Sequence, residues 1–219
     1  MLYLRRFRWK RRRAALALLP AAAIMTATGF TAAATGTVPG AGAAETAADS
    51  DVTVKVKRHA KRGQRIKIRG EVTPARSRAV TIEVNGRTIG TTRSDSDGSF
   101  RLRWRPSRSG VYRVKAVAGD AASKRDKVNV YRPAQASYYG PGLYGNGTAC
   151  GGRLTPSKLG VAHKTLPCGT KLTLRHRGRS VKVRVIDRGP FAGNREYDLT
   201  AATKAKIRFG STGVVYTTR

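Results

Sequence analysis

The chain has 219 residues, with 44 Lys and Arg against 12 Asp and Glu, which gives a formal net charge of +32 at pH 7. A protein of this charge binds polyanions. The sequence contains no nucleic-acid-binding motif, however, and its basic residues are spread over both halves, so we expect no nucleic acid partner. Residues 133–219 hold three carboxylates, Asp187, Glu196 and Asp198, which leaves few candidates for acid–base chemistry.

Residues 1–44 have the composition of an export signal. All their basic residues precede Ala14, and an Ala-rich apolar stretch follows to about Ala34. Small residues at 41–44 suit cleavage by a signal peptidase, which would leave a linker over residues 45–51. An uncleaved anchor is the alternative, because the apolar stretch is long enough to span a bilayer. We expect a secreted cell-wall protein with no integral membrane span after cleavage.

Residues 52–131 are predicted to fold as a β-sandwich. Short β-branched and aromatic runs alternate with Lys and Arg, and Asn85-Gly86 and Asp97-Gly98 are typical of hairpin turns. Seven strands in roughly eighty residues favour an immunoglobulin-like sandwich. The predicted strands cover residues 52–57, 65–72, 79–84, 87–92, 99–104, 110–118 and 127–131.

This first domain has no cysteine and no cluster of His and carboxylates that could perform chemistry. His59 lies among Lys and Arg, so we predict that it is solvated. The domain is interpreted as a spacer or an adhesive module.

A second domain is predicted over residues 132–219. Residues 131–135 form a predicted junction, after which the composition changes to Gly, Tyr and Thr. Tyr138 and Tyr139 stand in this Gly-rich opening, where they would either fill the core or stack on sugar rings, as exposed tyrosines do. The sequence leaves both interpretations open.

Cys150 and Cys168 are the two cysteines of the chain. An even count at short spacing in an exported protein favours a disulfide. The alternative is a Cys nucleophile paired with His163, which lies between the two, but this needs a free thiolate. His176 stands between two arginines and is predicted to face solvent.

Asp187 ends a run from Ser180 to Ile186 that alternates charged and apolar residues, a pattern typical of a strand with one face on a core. Gly189-Pro190 then ends the strand. Asp187 is the best-placed carboxylate for chemistry. The alternative interpretation is that it caps a turn or pairs with Arg188.

Near the C-terminus, Asp198-Leu199-Thr200 is predicted to begin a helix that runs to about Phe209, with Thr200 as N-cap. Gly210 is the predicted stop, and residues 213–218 are a predicted closing strand. The second domain is therefore expected to be a small β-rich barrel with one helix.

Four motifs in this domain resemble the rare-lipoprotein-A (RlpA) family. They are ASYYGPGLYGNGTACGGRLTP at 136–156, VAHKTLPCGT at 161–170, VIDRGPF at 185–191 and YDLT at 197–200. The resemblance implies a six-stranded double-psi β-barrel, shared with expansins, that acts on peptidoglycan as a lytic transglycosylase. The whole chain is then expected to be all-β.

The resemblance also implies roles for residues. Asp187 matches the family's catalytic acid and His163 lines the same cleft, whereas Gly152 stands where the family has a glutamate. No metal or cofactor is expected. The residues expected to bind substrate are Tyr138, Tyr139, Lys164, Thr165, Arg188 and Asp198.

Ordinary glycoside hydrolysis needs two carboxylates, and Asp187 has no obvious second in the sequence. A lytic transglycosylase can work with one, because the muramyl 6-hydroxyl of the substrate is the nucleophile. We therefore expect cleavage of peptidoglycan glycan strands, with Asp187 as acid and then base and His163 as a second catalytic residue that positions or polarises the substrate. The alternative is an expansin-like module that binds polysaccharide without turnover. Anionic cell-wall polymers are a further expected partner, given the charge.

Overall fold

The computed structural model describes residues 50–219, so the predicted signal and most of the predicted linker lie outside the described residues. This part of the chain is all-β with one short helix. Its strands are β1 Asp51–Val52, β2 Lys55–Val56, β3 His59–Lys61, β4 Ile66–Thr73, β5 Ala79–Val84, β6 Arg87–Arg93, β7 Ser99–Trp104, β8 Gly110–Ala118, β9 Ala121–Ala122, β10 Asp126–Tyr139, β11 Val161–His163, β12 Lys171–His176, β13 Arg179–Asp187, β14 Tyr197–Thr200 and β15 Gly213–Thr217, and the helix α1 is Ala201–Ile207.

The first half of the described chain is a sandwich of two sheets. In one sheet, β4 pairs with β1, β2 and β7, and in the other β8 lies between β5 and the start of β10. Alternate residues such as Ile68, Ile82 and Val114 are fully buried in one shared core. The predicted strands are confirmed from β4 to β8, whereas residues 52–57 form two short strands. The immunoglobulin-like assignment stays a prediction.

Strand β10 continues through the predicted junction at residues 131–135. It runs without interruption from Asp126 to Tyr139, pairing first with β8 and then, from Arg132, with β15. Pro133 has no backbone N–H to donate. It lies where β10 changes partners from β8 to β15, so the missing hydrogen bond falls near the end of a ladder and not in its middle. The two halves of the described chain therefore share strand β10.

The second half is a closed six-stranded barrel. Its strands follow the order β14, β11, β13, β12, β15 and β10, and a parallel pairing of β10 with β14 closes the ring. Strands β11 and β13 are also parallel. Tyr197, Leu199 and Leu174 fill the core. The expected barrel is confirmed.

Helix α1 has the predicted N-cap but ends earlier than predicted. Thr200 is the N-cap, as predicted, and its side chain accepts a hydrogen bond from the Thr203 N–H. Asp198, however, lies in β14 and not at the helix start. The helix ends at Arg208, which adopts the left-handed conformation (φ 51°) expected at Gly210. No helix among residues 50–219 is both long and apolar enough to cross a membrane.

Two histidines predicted to face solvent are half-buried. His59 Nδ1 lies 3.0 Å from the Tyr131 hydroxyl. His176 packs edge-on against Phe209, with ring centroids 5.3 Å apart. Both predictions failed because these rings contact residues remote in the chain, which the flanking Lys and Arg do not indicate.

Candidate active site

Asp187 lies at the end of β13, as predicted, and its carboxylate is fixed by two backbone donors. Oδ1 accepts hydrogen bonds from the N–H of Ala149 (2.9 Å) and of Arg188 (2.8 Å). Both bonds end on the same oxygen, so Oδ2 is the atom placed to meet a substrate. The predicted turn-capping role is therefore real, and it coexists with an available oxygen.

Gly160 lies against the side chain of Ile186, in the strand that carries Asp187. A Cβ at Gly160 would stand 2.5 Å from the side chain of Ile186, the residue before Asp187. The Gly160 N–H also donates to Thr203 Oγ1 (3.0 Å), at the start of the helix. A side chain at residue 160 would therefore force the Ile186 side chain, next to Asp187, to move.

Asp198 comes close to Asp187 across β11. Both residues pair with Ala162, Asp187 from β13 and Asp198 from β14. Burial raises the pKa of Asp198 and the charge of Asp187 raises it further, although the Ser137 hydroxyl, which donates to Asp198 Oδ1 (2.8 Å), opposes both effects. Asp198 is therefore a candidate for the second carboxylate that was not obvious in the sequence.

Tyr139 lies near both carboxylates, Asp187 and Asp198. Its hydroxyl is buried and lies close enough to Asp187 to interact with the carboxylate, but makes no hydrogen bond of normal geometry among the described residues. Burial raises the pKa of Tyr139, and the charges of Asp187 and Asp198 raise it further. The hydroxyl therefore keeps its proton and can donate it in a hydrogen bond to a ligand.

Tyr138 is placed differently from its neighbour. Its half-buried ring packs against the barrel core, and Lys204 Nζ lies 3.6 Å from the ring centroid. This cation–π contact occupies one face of the ring. Tyr138 therefore combines a core contact with an exposed part, so neither of its two interpretations holds alone.

His163 lies in a second cluster, beside Glu196. Its Nδ1 accepts hydrogen bonds from the N–H groups of Thr165 (3.1 Å) and Leu166 (3.0 Å), so the ring proton is on Nε2. Nε2 lies 3.6 Å from Glu196 Oε1. Burial lowers the pKa of His163, although the charge of Glu196 acts in the opposite direction. The ring is therefore neutral at pH 7.

Glu196 is a residue that the sequence did not single out. It accepts two hydrogen bonds from the Arg132 guanidinium, one from Nη1 at 2.8 Å and one from Nη2. Burial raises its pKa, but the bonds and charge of Arg132 outweigh burial and lower the pKa overall. Because 64 residues separate the partners, no local spacing could have found the pair.

Replacing Glu196 tests this cluster. The pKa of Glu196 is lower in the fold than its ordinary value of 4.5. Its contribution to stability is thus complete above about pH 4.5 and disappears as pH falls through the folded pKa. We expect Glu196→Gln to lower the free energy of unfolding by roughly 1 kcal/mol at pH 7, and by less near pH 3. Thermal melts from pH 7 to pH 3 measure this.

The control for that series is Glu71→Gln, which removes an exposed carboxylate of the sandwich that makes no ion pair within the described chain. Its effect should be small at every pH. A stability loss in Glu196→Gln that was the same at pH 3 and pH 7 would contradict the assigned ion pair.

Arg188 points away from the carboxylate that precedes it. Its Nη1 donates to the carbonyl oxygens of Leu166 (2.9 Å) and His163 (3.3 Å), and Nη2 lies 3.2 Å from Cys168 Sγ. Arg188 therefore holds the loop that follows β11. Lys164 and Thr165 are exposed on that loop and are not brought to the carboxyl pair by any contact described.

The predicted disulfide joins Cys150 to Cys168, with Cα atoms 5.5 Å apart. It excludes the alternative of a Cys nucleophile, because no thiol is left. Cys150 follows Ala149, whose N–H holds Asp187, and Cys168 contacts Arg188. The bridge thus links the loop that fixes the carboxylate to the loop that carries His163.

Reduction of the disulfide should destabilise the barrel. The bridge closes a segment of 18 residues, which is worth roughly 3 kcal/mol in the chain-entropy model. We expect the double variant Cys150→Ser/Cys168→Ser to unfold at lower denaturant concentration by about that amount. A native protein with two titratable thiols, or a double variant as stable as the wild type, would contradict this.

Comparisons with known proteins find relatives of the barrel. Residues 134–218 match a family described as lytic transglycolase. The probable endolytic peptidoglycan transglycosylase RlpA of Synechocystis sp. is 43% identical over 111 residues, or 50% of this chain and 33% of the relative. The RlpA protein of Campylobacter jejuni is 44% identical over 80 residues, covering 36% and 29%.

A third relative, the RlpA protein of Neisseria meningitidis, is 37% identical over 103 residues, or 46% of this chain and 43% of its own length. The chain therefore spans less than half the length of these curated relatives. The resemblance to the RlpA family expected from the motifs is confirmed over residues 134–218.

Proposed function

We propose that this chain, through its RlpA-like barrel, is a lytic transglycosylase that cleaves peptidoglycan glycan strands at the cell wall. The observation that carries the proposal is the carboxyl pair of Asp187 and Asp198, flanked by the partnerless hydroxyl of Tyr139. Such a pair suits acid–base chemistry, because burial and the nearby charge of Asp187 raise the pKa of Asp198 and so favour its protonated form.

The reaction needs one proton transfer in each direction. The protonated pair gives its proton to the glycosidic oxygen through Asp187 Oδ2, and the bond from that oxygen to the muramyl C1 breaks. The muramyl 6-hydroxyl then attacks C1, and its proton passes to the Asp187 carboxylate. The products are a 1,6-anhydro-muramyl end and a free hydroxyl on the leaving sugar. No water is consumed, and the pair regains its proton.

Other residues have supporting roles in this proposal. The Tyr139 hydroxyl donates a hydrogen bond to the bound sugar, which gives it the partner that it lacks within the protein. Asp198 supplies a second carboxyl across β11 from Asp187, and Arg188 and His163 fix the adjacent loop. Tyr138, Lys164 and Thr165 remain proposed substrate contacts.

An expansin-like module that binds peptidoglycan without turnover is the second candidate. It is favoured by Gly152, which stands where the family has a glutamate. Gly152 has a φ of +79°, a conformation that is unfavourable for other residues, so restoring the carboxylate with Gly152→Glu would strain the loop. This second candidate shares the substrate of the first and differs only in catalysis.

A digest of purified peptidoglycan distinguishes the two candidates. The released fragments are separated and weighed by mass spectrometry. We expect 1,6-anhydro-muramyl ends, 18 Da lighter than the reducing ends that a hydrolase leaves by adding water. Fragments with reducing ends alone would identify a hydrolase. Retention of the protein on the insoluble wall, with no fragments released, would favour the binding module.

A further inference from the structure

A basic groove runs along the strands where the sandwich meets the barrel. It consists of two adjoining cavities of about 580 Å³ and 330 Å³ that share Lys127, Thr173 and Lys182. Its cations are Arg58 and Lys127 from the sandwich and Lys171, Lys182 and Arg184 from the barrel. We call these five residues the basic groove.

No carboxylate lines either cavity, and within residues 50–219 none of the five cations forms an ion pair. The nearest carboxylate in sequence is Asp126. Its two oxygens accept hydrogen bonds from the backbone N–H of Val56 (2.9 Å) and of Lys127 (2.7 Å). The positive charge of the groove is therefore not neutralised from within the described protein.

The cations of the groove repel one another. Burial lowers the pKa of Lys127, and the charges of Lys182, Arg113 and Arg58 lower it further. A bound anion would relieve this repulsion, so the fold is more stable with an anion present than without one. Lys182 and Arg184 are two residues apart on β13, about 6.6 Å at 3.3 Å per residue, which presents charge at regular intervals.

We propose that the basic groove binds a linear phosphodiester polymer of the cell wall, of the polyol-phosphate type. The choice of a wall polymer rests on the proposed function, whereas the binding itself is separate from glycan cleavage. Repeating phosphates match the repeated cations. Exposed Val111 and Leu159 line the larger cavity and offer apolar contact to the carbon chain between phosphates.

A nucleic acid fits the same groove less well. Single-stranded nucleic acids gain much of their affinity by stacking bases on aromatic rings. The one aromatic ring that lines these two cavities is that of His59, which is held by Tyr131. The groove therefore offers charge without a surface on which bases could stack.

The test compares two triple variants that lose the same charge. Lys127→Gln/Lys182→Gln/Arg184→Gln removes three groove cations. Lys67→Gln/Arg69→Gln/Arg101→Gln removes three exposed cations from the sheet formed by β4 and β7. The affinity of each for poly(glycerol phosphate) is measured by calorimetry at 50 and 200 mM salt.

We expect the groove variant to lose affinity about tenfold or more and the control to stay within about threefold of wild type. The slope of log K against log salt should fall by about 2 in the groove variant, since each lost phosphate contact contributes about 0.7. Equal losses in both variants would overturn the proposal, because binding would then follow net charge alone. Tighter binding of oligothymidylate of equal charge would also overturn it in favour of nucleic acid.

Two further measurements separate this proposal from the catalytic one. The pKa of His59 is lowered by burial and then by Arg175, Arg58 and Lys127, so a polymer in the groove should raise it, as seen by NMR titration. Asp187→Asn should bind the polymer like wild type. A wild type that binds poly(glycerol phosphate) yet releases no anhydro fragments would refute only the catalytic proposal, and an unmoved His59 pKa would refute only the groove.

Discussion

Asp187→Asn should lower the rate of anhydro-muramyl product formation by about 10²–10⁴-fold, the usual contribution of a positioned acid–base group. The asparagine keeps an oxygen that accepts from the N–H of Ala149 and Arg188, as Asp187 Oδ1 does. Its amide cannot donate a proton to the glycosidic oxygen or take one from the 6-hydroxyl. Melting temperature and retention on insoluble wall should therefore stay close to those of wild type.

The matched control is Asp97→Asn in the sandwich. Asp97 Oδ1 also accepts a backbone hydrogen bond, from the Ser99 N–H at 2.8 Å, but it lies outside the barrel. Product is quantified from single-turnover digests at a fixed amount of peptidoglycan. If wild type and Asp187→Asn release the same anhydro fragments at the same rate, Asp187 is not the acid.

Asp198→Asn should change stability and activity in opposite directions. The pKa of Asp198 is raised in the fold, chiefly by burial, so its contribution to stability is complete below the ordinary value of 3.8 and is lost as pH rises through the folded pKa. At pH 7 the buried charge is unfavourable. The asparagine can still accept the Ser137 hydroxyl, and the variant should melt at a higher temperature than wild type.

The same change should lower the rate of anhydro-product formation at pH 7 by about tenfold or more. Without the negative charge of Asp198, protonation of the site is less favourable, so the alkaline limb of the pH–rate profile should move to lower pH. Thermal melts at pH 3 and pH 7, with pH–rate profiles, measure both effects. A stabilised variant with an unchanged profile would show that Asp198 takes no part in the chemistry.

Local patterns in the sequence were sufficient for several parts of this structure. The strand ending at Asp187 follows from alternation, the N-cap at Thr200 from its side chain, and the disulfide from two cysteines in an exported chain. Each of these predictions depends on residues adjacent in sequence or, for the disulfide, on a chain with just two cysteines. The resemblance to the RlpA family then predicted the six-stranded barrel.

The rest depends on contacts between distant residues. Glu196 and Arg132 pair across 64 positions, and the approach of Asp198 to Asp187 follows from the order of strands in the barrel. Asp198 was assigned to the helix because YDLT resembles a helix start, whereas pairing with Ser137 and Ala162 extends the strand through it. Tertiary pairing overrides local preference there.

The strand shared by sandwich and barrel has a mechanical consequence. Bending at Arg132 would break the hydrogen bonds of β10 to β8 on one side or to β15 on the other. The sandwich therefore cannot swing freely, as a domain on a flexible tether would. If the basic groove binds a wall polymer, the carboxyl pair would stay at a fixed distance from the bound polymer. Cleavage would then be limited to glycan strands within that distance, until the protein dissociated and bound elsewhere on the wall.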